Sequence, residues 1–535
     1  MPISASAAAA GFLVFAACLF SFLCAYRFAR GQGGAGRGPR LLAGGGVAVL
    51  ALGCRLCIAE GHVSWAPYLD QWSAEISGVV APLAHGHIGL RDLFAANNEH
   101  RVVLTRIASL AAVTMNGGWD NRVMVILTFA LQSAAAAWVC LAAWSVLGWL
   151  RGSLAAAAAF LPMLLVCDWE NVVSGFQDQF GMMVLGTVVA LSLQEGCTLG
   201  SRGCWGALAA AAVLLGTMAS GFLTAAAMAG TGLVLALAGL RPWRSCAGFL
   251  GACAAIAALG WFTRHPFAPM PSLYAQGPGA WMSAFLAYAS WPLPPNVLGF
   301  LCLWAPWFVL LQWTLRRREE LPLAPFALGL GLWVLLQAGA LAWSRAGLSG
   351  LVSARYTEVL AWGFVANASA VTLMAPALKT AGRTRIALWL CAAIWFAAIG
   401  ASEAWRSRAI YRPYLEGFRQ QTLEHERRLE AFTATGDAGV IRGVEFPHIP
   451  GSAEEIISLL RDAKVRALLP GPLRRGLPNG PTPSAPAGDG PLAVAAACAL
   501  RSGPWVASAG SAMLLAGLLL SRVRRRAEKL PAGPP

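Results

Sequence analysis

Charge is what this chain has least of. Only 12% of its 535 residues are Asp, Glu, Lys or Arg, about half the ~25% of a soluble domain. A wholly soluble globule is therefore excluded. Lysine is almost missing: Lys379, Lys464 and Lys529 stand against a Lys-plus-Arg total of 40. The formal charge of +15 does not signal nucleic-acid binding, because the arginines sit in short segments between apolar runs and in a terminal tail, not in one stripe. Cysteine is scarce outside the apolar runs, where it behaves as a small hydrophobe, so no disulfide framework is expected. Cys54 and Cys57 form a C-x-x-C without further ligands of matching spacing, which argues against a metal or redox site. No A-x-A-type cleavage site follows the first apolar run, so that run is expected to be retained. No internal repeat stands out.

What the chain does have is hydrophobicity, 57% of its residues, arranged in recurring apolar runs of roughly 18–20 residues that read as membrane helices. Such runs must be helical, since lipid offers an unpaired backbone group no partner. The pattern predicts an all-α polytopic fold of about 13 transmembrane helices, at 8–26, 41–59, 123–149, 153–167, 180–194, 204–220, 222–240, 245–262, 296–314, 324–342, 357–375, 386–402 and 493–520. Arg27, Arg30, Arg151, Arg241, Arg316, Lys379 and Arg522 then fall on one side, which the positive-inside rule makes the cytoplasm, with the N-terminus outside. The 22 Trp suit interfacial belts.

The domain reading follows. Residues 1–402 form the transmembrane domain, with outward loops at 60–122, 168–179, 263–295 and 343–356. Residues 403–476 balance acids and bases and read as a small outer α/β appendage. It would hold an amphipathic helix over 413–433, a helix opened by a capping box at Ser452 and Glu455, and a short strand at VRALLP. A Pro/Gly-rich linker, 477–492, leads to the last span and basic tail, 493–535.

The ionisable residues concentrate in the outward loops. Asp70 lies in Y-L-D-Q-W. Beside aromatics at a membrane surface its carboxylate gains basicity, as a general base requires, and Trp72 could stack on a sugar. Asp70 equally suits the cap of an interfacial helix over 71–82. N-N-E-H-R supplies Glu99, His100 and Arg101, as a binding set or an interfacial salt-bridge set. W-E-N-V-V-S-G-F-Q-D-Q-F supplies Glu170, Asn171, Gln177 and Gln179, whose acids and amides among aromatics suit a carbohydrate. Arg264, with His265, opens the third outward loop. Arg345 and Arg355 flank the fourth, Arg355 being followed by Tyr356. Arginines on the outward side run against the charge bias, so a phosphate bound through their forks, or plain head-group contact, would account for them.

In these motifs the chain resembles the GT-C class of integral membrane glycosyltransferases, which includes protein O-mannosyltransferases and lipid A aminoarabinose transferases. It is most similar to a bacterial branch of that class with a D-x-W acid, an N-E-H-R, a W-E-N-x-x-x-G-F-Q-x-Q-F loop and a later R-Y. Here these are Asp70 to Trp72, Asn98 to Arg101, Trp169 to Phe180, and Arg355-Tyr356. The similarity covers roughly residues 41–470. It implies a transferase, hexosyl or pentosyl, that moves a sugar from a polyprenyl-phosphate donor to an envelope glycan, lipid or protein. The active site would face outward from the bacterial cytoplasmic (inner) membrane. Asp70 would be the catalytic base and Arg355, with Tyr356 and Arg264, would hold the donor phosphate. Several GT-C families place two adjacent acids in the first loop; here Gln71 follows Asp70, so neither a metal nor another cofactor is expected. The rival reading is a transporter or flippase for lipid-linked glycan, against which stand the few ionisable residues within the spans and the lack of inverted repeats.

Overall fold

The computed structural model describes residues 37–194, 199–265, 271–319, 321–348, 350–377, 382–442, 453–474, 477–478 and 489–527. The run predicted to span over 8–26, the capping residue Ser452 and most of the 477–492 linker lie outside them. The chain is an all-helical membrane protein: among the described residues there is no strand, and nine helices are long and apolar enough to cross a bilayer.

The helices in order are α1 Arg37–Ala59, α2 Leu90–Phe94, α3 Val103–Asn116, α4 Asn121–Leu164, α5 Trp169–Val173, α6 Asp178–Leu193, α7 Arg202–Val213, α8 Leu223–Leu237, α9 Trp243–Phe262 and α10 Pro278–Ala289. They continue as α11 Val297–Arg317, α12 Ala324–Ser344, α13 Ala354–Ala377, α14 Gly382–Arg406, α15 Arg412–Thr435, α16 Ala453–Arg461, α17 Ala463–Arg466, α18 Pro491–Arg501 and α19 Gly503–Ala527. Each span predicted from 41–59 onward falls on a helix, but some helices are too short to cross. The 15 residues of α8 reach ~23 Å against a hydrocarbon core of ~30 Å. The tip joining α7 to α8 packs against the C-terminal end of α9, where a Cβ on Gly260 would fall 2.4 Å from Phe222 and the Phe222 ring lies edge-on to Trp261 at 5.9 Å.

Local chemistry explains the breaks. Gly148 sits at φ 76, ψ 169 inside α4, a region open chiefly to glycine. The chain turns straight back there, and Cys140 Sγ lies 3.6 Å from the Ala156 carbonyl oxygen. The predicted last span divides into α18 and α19. Helix α19 runs antiparallel on α1 with Gly503, Gly510 and Gly517 at seven-residue spacing. A Cβ on Gly510 would fall 2.2 Å from the Leu50 nitrogen, so only glycine lets the backbones come this close.

The appendage differs from its prediction. No joint separates it from the membrane domain, because the apolar helix runs unbroken from Ile386 to Thr435, with a π-helical turn at Ser407–Tyr411. The predicted strand at VRALLP is instead the helical turn α17, capped by Asp462, whose Oδ1 accepts from Lys464 N at 2.9 Å and Val465 N at 3.3 Å. Nor is the appendage independent: Leu429, Phe432, Ile457 and Leu469 share one core with Trp72, Ile76 and Trp119 of the first predicted loop. Trp119 N donates to Leu468 O at 2.7 Å.

Candidate active site

Three of the four predicted loops meet around Asp70. The carboxyl is half-buried, in the turn just before a π-helix, Trp72–Val80. Its backbone oxygen accepts from Ala74 N at 2.7 Å, and no side chain caps the helix start. The capping reading of Asp70 therefore falls: the carbonyl serves the helix and the carboxylate does not. That carboxylate is hydrogen-bonded by Asn98 and, among the described residues, makes no ion pair. Burial lifts it above the usual aspartate range, the Arg355 charge opposes this, and Glu99 reinforces it.

The neighbouring acids are tied. Glu99 pairs with Arg345. Arg345 donates to the Ser344 carbonyl at 2.8 Å, and its own carbonyl accepts from Tyr288 Oη at 2.9 Å. Glu170 Oε2 lies 2.8 Å from Arg355 Nε, and its Oε1 accepts from Ser353 Oγ at 3.0 Å. His100 Nδ1 accepts the Ala219 N–H at 3.1 Å, so the imidazole's proton resides on Nε2, 3.7 Å from Glu99, and the ring is neutral. Burial pushes His100 down to about 4, with Arg345 and Arg355 acting the same way against Glu99. Burial opposes ionisation of Glu99, but the charge and hydrogen bond of Arg345 hold it below the usual glutamate range.

The backbone here is under constraint. Leu69, Asn98 and Val102 take φ values of 47, 51 and 30, and for a β-branched residue such as Val102 that region is costly. The strain brackets Asp70 on one side and Glu99–His100 on the other.

The remaining predicted residues divide. Tyr356 is buried, hydrogen-bonds Arg345, and packs edge-on to Phe180 and Tyr288 with ring centroids 6.1 and 6.4 Å apart. Arg101 donates to the Thr263 and Phe94 carbonyls, both at 3.0 Å. Arg264 stacks on Trp261 at 3.6 Å. Arg101, Arg264 and Glu99 line a shallow cleft with Leu215, Met218 and Phe222, with room for about one water. Trp72 is not at the mouth: at 1% exposure it lies in the appendage core and offers no face to a sugar. Asn171, Gln177 and Gln179 are buried too. Asn171 Nδ2 donates to the Arg355 carbonyl at 3.1 Å and to Glu358 Oε2 at 2.7 Å, which makes it a brace beneath the site.

Glu358 belongs to a second polar group that the sequence reading missed. Arg55 grips Asp168 through two bonds of 2.9 and 2.6 Å. Gln132 Nε2 donates to Glu358 Oε2 at 2.9 Å, and Glu403 lies within the electrostatic range of Arg55 and Asp168. All of these side chains are buried. A third group, also buried, holds Glu75 and Asp178: Glu75 Oε1 accepts from Trp119 Nε1 at 3.2 Å, Asp178 accepts from Thr105, and burial pushes Glu75 up to about 7. Arg55, Glu358 and Glu403 stand alone in apolar stretches, whereas Glu75, Asp168 and Asp178 lie in or beside the polar loops; spacing joined neither group, since the partners come from different elements.

Among the described residues no three His, Cys, Asp or Glu side chains gather closely enough to hold a metal ion. No protein-family model matches this chain, and no curated protein matches it.

Proposed function

We propose that the chain is a glycosyltransferase of the bacterial cytoplasmic membrane, a polytopic helical protein with the Asp70 face outward. It transfers one sugar, hexose or pentose, from a polyprenyl-phosphate donor to an envelope glycan, lipid or protein. One observation carries the reading: three loops converge on a half-buried carboxylate that, among the described residues, makes no ion pair, while Arg355 and Arg345 act on it electrostatically from pairs that an incoming phosphate can enter. Asp70 takes the proton of the acceptor hydroxyl as its oxygen bonds to the sugar's C1. The bond from C1 to the phosphate oxygen breaks on the opposite face, and polyprenyl phosphate leaves, held by Arg345 and Arg355. Arg264 adds a cation for the donor phosphate, and Arg101 lines the same shallow cleft. Asp70 must be ionised to act, and burial raises the pH at which it ionises. Transfer is expected to fall with decreasing pH sooner than for an ordinary aspartate, and the pH profile of the rate reads this directly.

The transporter reading keeps one observation in its favour, the buried group of Arg55, Asp168, Glu358 and Glu403, since ionisable groups within membrane spans often mark a transport path. Complementing a deletion strain separates the two. Asp70→Asn protein at wild-type level is expected to leave envelope glycans as defective as in the deletion. Normal glycans in that strain would remove Asp70 as the base. Intact sugar attachment with blocked movement of lipid-linked glycan would favour transport.

A further inference from the structure

We propose that α3, although it belongs to a segment predicted as an outward loop, lies in the bilayer with the face of Ile107, Ala111 and Met115 against lipid acyl chains. The helix buries polar residues beside Val103 and Val113 and turns apolar ones outward. Its polar residues Thr105, Arg106, Ser109 and Asn116 are 0–3% exposed, while Ile107 is 46% and Met115 63% exposed. Arg106 donates to the Ala74 carbonyl at 3.1 Å and Asn116 to the Gly118 carbonyl at 2.8 Å, so the inward polar groups are used within the protein. A helix between a protein core and water shows the opposite arrangement. The one polar residue on the outward face, Thr114, turns its hydroxyl back onto the Leu110 and Ala111 carbonyls at 3.0 and 2.9 Å, which is how a hydroxyl is satisfied where water is missing.

The occupant follows from continuity. Val102 N donates to the Thr217 carbonyl at 3.2 Å, and a Cβ on Gly216 would meet Val103 at 3.4 Å. The start of α3 is thus fastened to the tip between α7 and α8, which packs against the C-terminal end of α9. Nearby, α7 and α9 turn Val213 (56% exposed) and Phe262 (82% exposed) outward, as helices in lipid do. The apolar face of α3 extends that surface. Its 14 residues reach ~21 Å, too short to cross a ~30 Å core, so the helix sits within one leaflet. The inference does not depend on the reaction proposed above.

The test uses the full-length wild-type chain in vesicles of phosphatidylethanolamine and phosphatidylglycerol containing a phospholipid with a diazirine in its acyl chain. After irradiation, peptides are mapped by mass spectrometry. Adducts are expected at Ile107, Ala111 and Met115 at a yield comparable to the exposed face of Trp243–Phe262, with none at Arg412 or Glu416, the exposed polar pair of α15. Labelled α9 peptides beside unlabelled α3 peptides would overturn the proposal, whether water or protein covers that face.

Discussion

Two polar groups sit one helical turn apart on α13, and they are built differently. Around Arg355 the charges come from separate loops and pair one to one, Glu99 with Arg345 and Glu170 with Arg355, leaving Asp70 over. Around Glu358 one guanidinium, Arg55, serves a neighbourhood of three carboxyls, and amides from Gln132 and Asn171 support Glu358. The upper group is partly open. The lower group is closed, and its interactions join α1, α4, α5, α13 and α14. The same residue types therefore make a group that water reaches and a clasp that it does not.

The largest effect should come from breaking the clasp. Arg55→Met leaves the Asp168 carboxylate buried without its partner, and is expected to cost about 3–5 kcal/mol of stability, read as a lowered melting temperature in detergent. A change near zero would place Asp168 in contact with water and end the contrast between the groups.

The buried Glu75 sharpens the contrast through pH. Its folded-state pKa is raised to about 7 from the ordinary 4.5, so the fold favours the protonated form. The stability this provides is fully present below about pH 4.5 and is lost as pH rises through 7. Wild-type protein should lose about 2–3 kcal/mol between pH 5 and pH 8 from this group. Glu75→Gln, which stays neutral, should flatten that slope in thermal melts at the two pH values; an unchanged slope would mean that Glu75 ionises without penalty.

A smaller effect is expected at the mouth. Arg355→Lys keeps the charge but loses the planar fork, so the donor KM should rise about tenfold with kcat less affected, measured by varying the lipid-linked sugar. Equal KM values would remove Arg355 from phosphate binding.

The upper group was legible in the sequence and the lower one was not, for a physical reason. Loops concentrate charge because lipid excludes it, so Asp70, Glu99, Glu170 and Arg355 stand out against an apolar background, and their convergence needs only that the loops lie on one side. Arg55, Glu358 and Glu403 are isolated residues on three helices, and only packing brings them to one place. Trp72 was misread because D-x-W looks the same whether the ring faces a substrate or a core. The core was hidden until Phe432 and Ile457, some 360–385 positions away, folded against it. The appendage was given a strand on local composition, but no partner strand exists among the described residues.

The most direct measurement compares Asp70→Asn with Glu358→Gln in one reconstituted assay, following transfer from a labelled polyprenyl-phosphate sugar together with thermal stability. Asp70→Asn should lose roughly 10²–10⁴-fold in rate at an unchanged melting temperature, while Glu358→Gln should shift the melting temperature and keep transfer close to wild type. Active Asp70→Asn protein beside a well-folded but inactive Glu358→Gln would contradict the assignment of chemistry to the mouth.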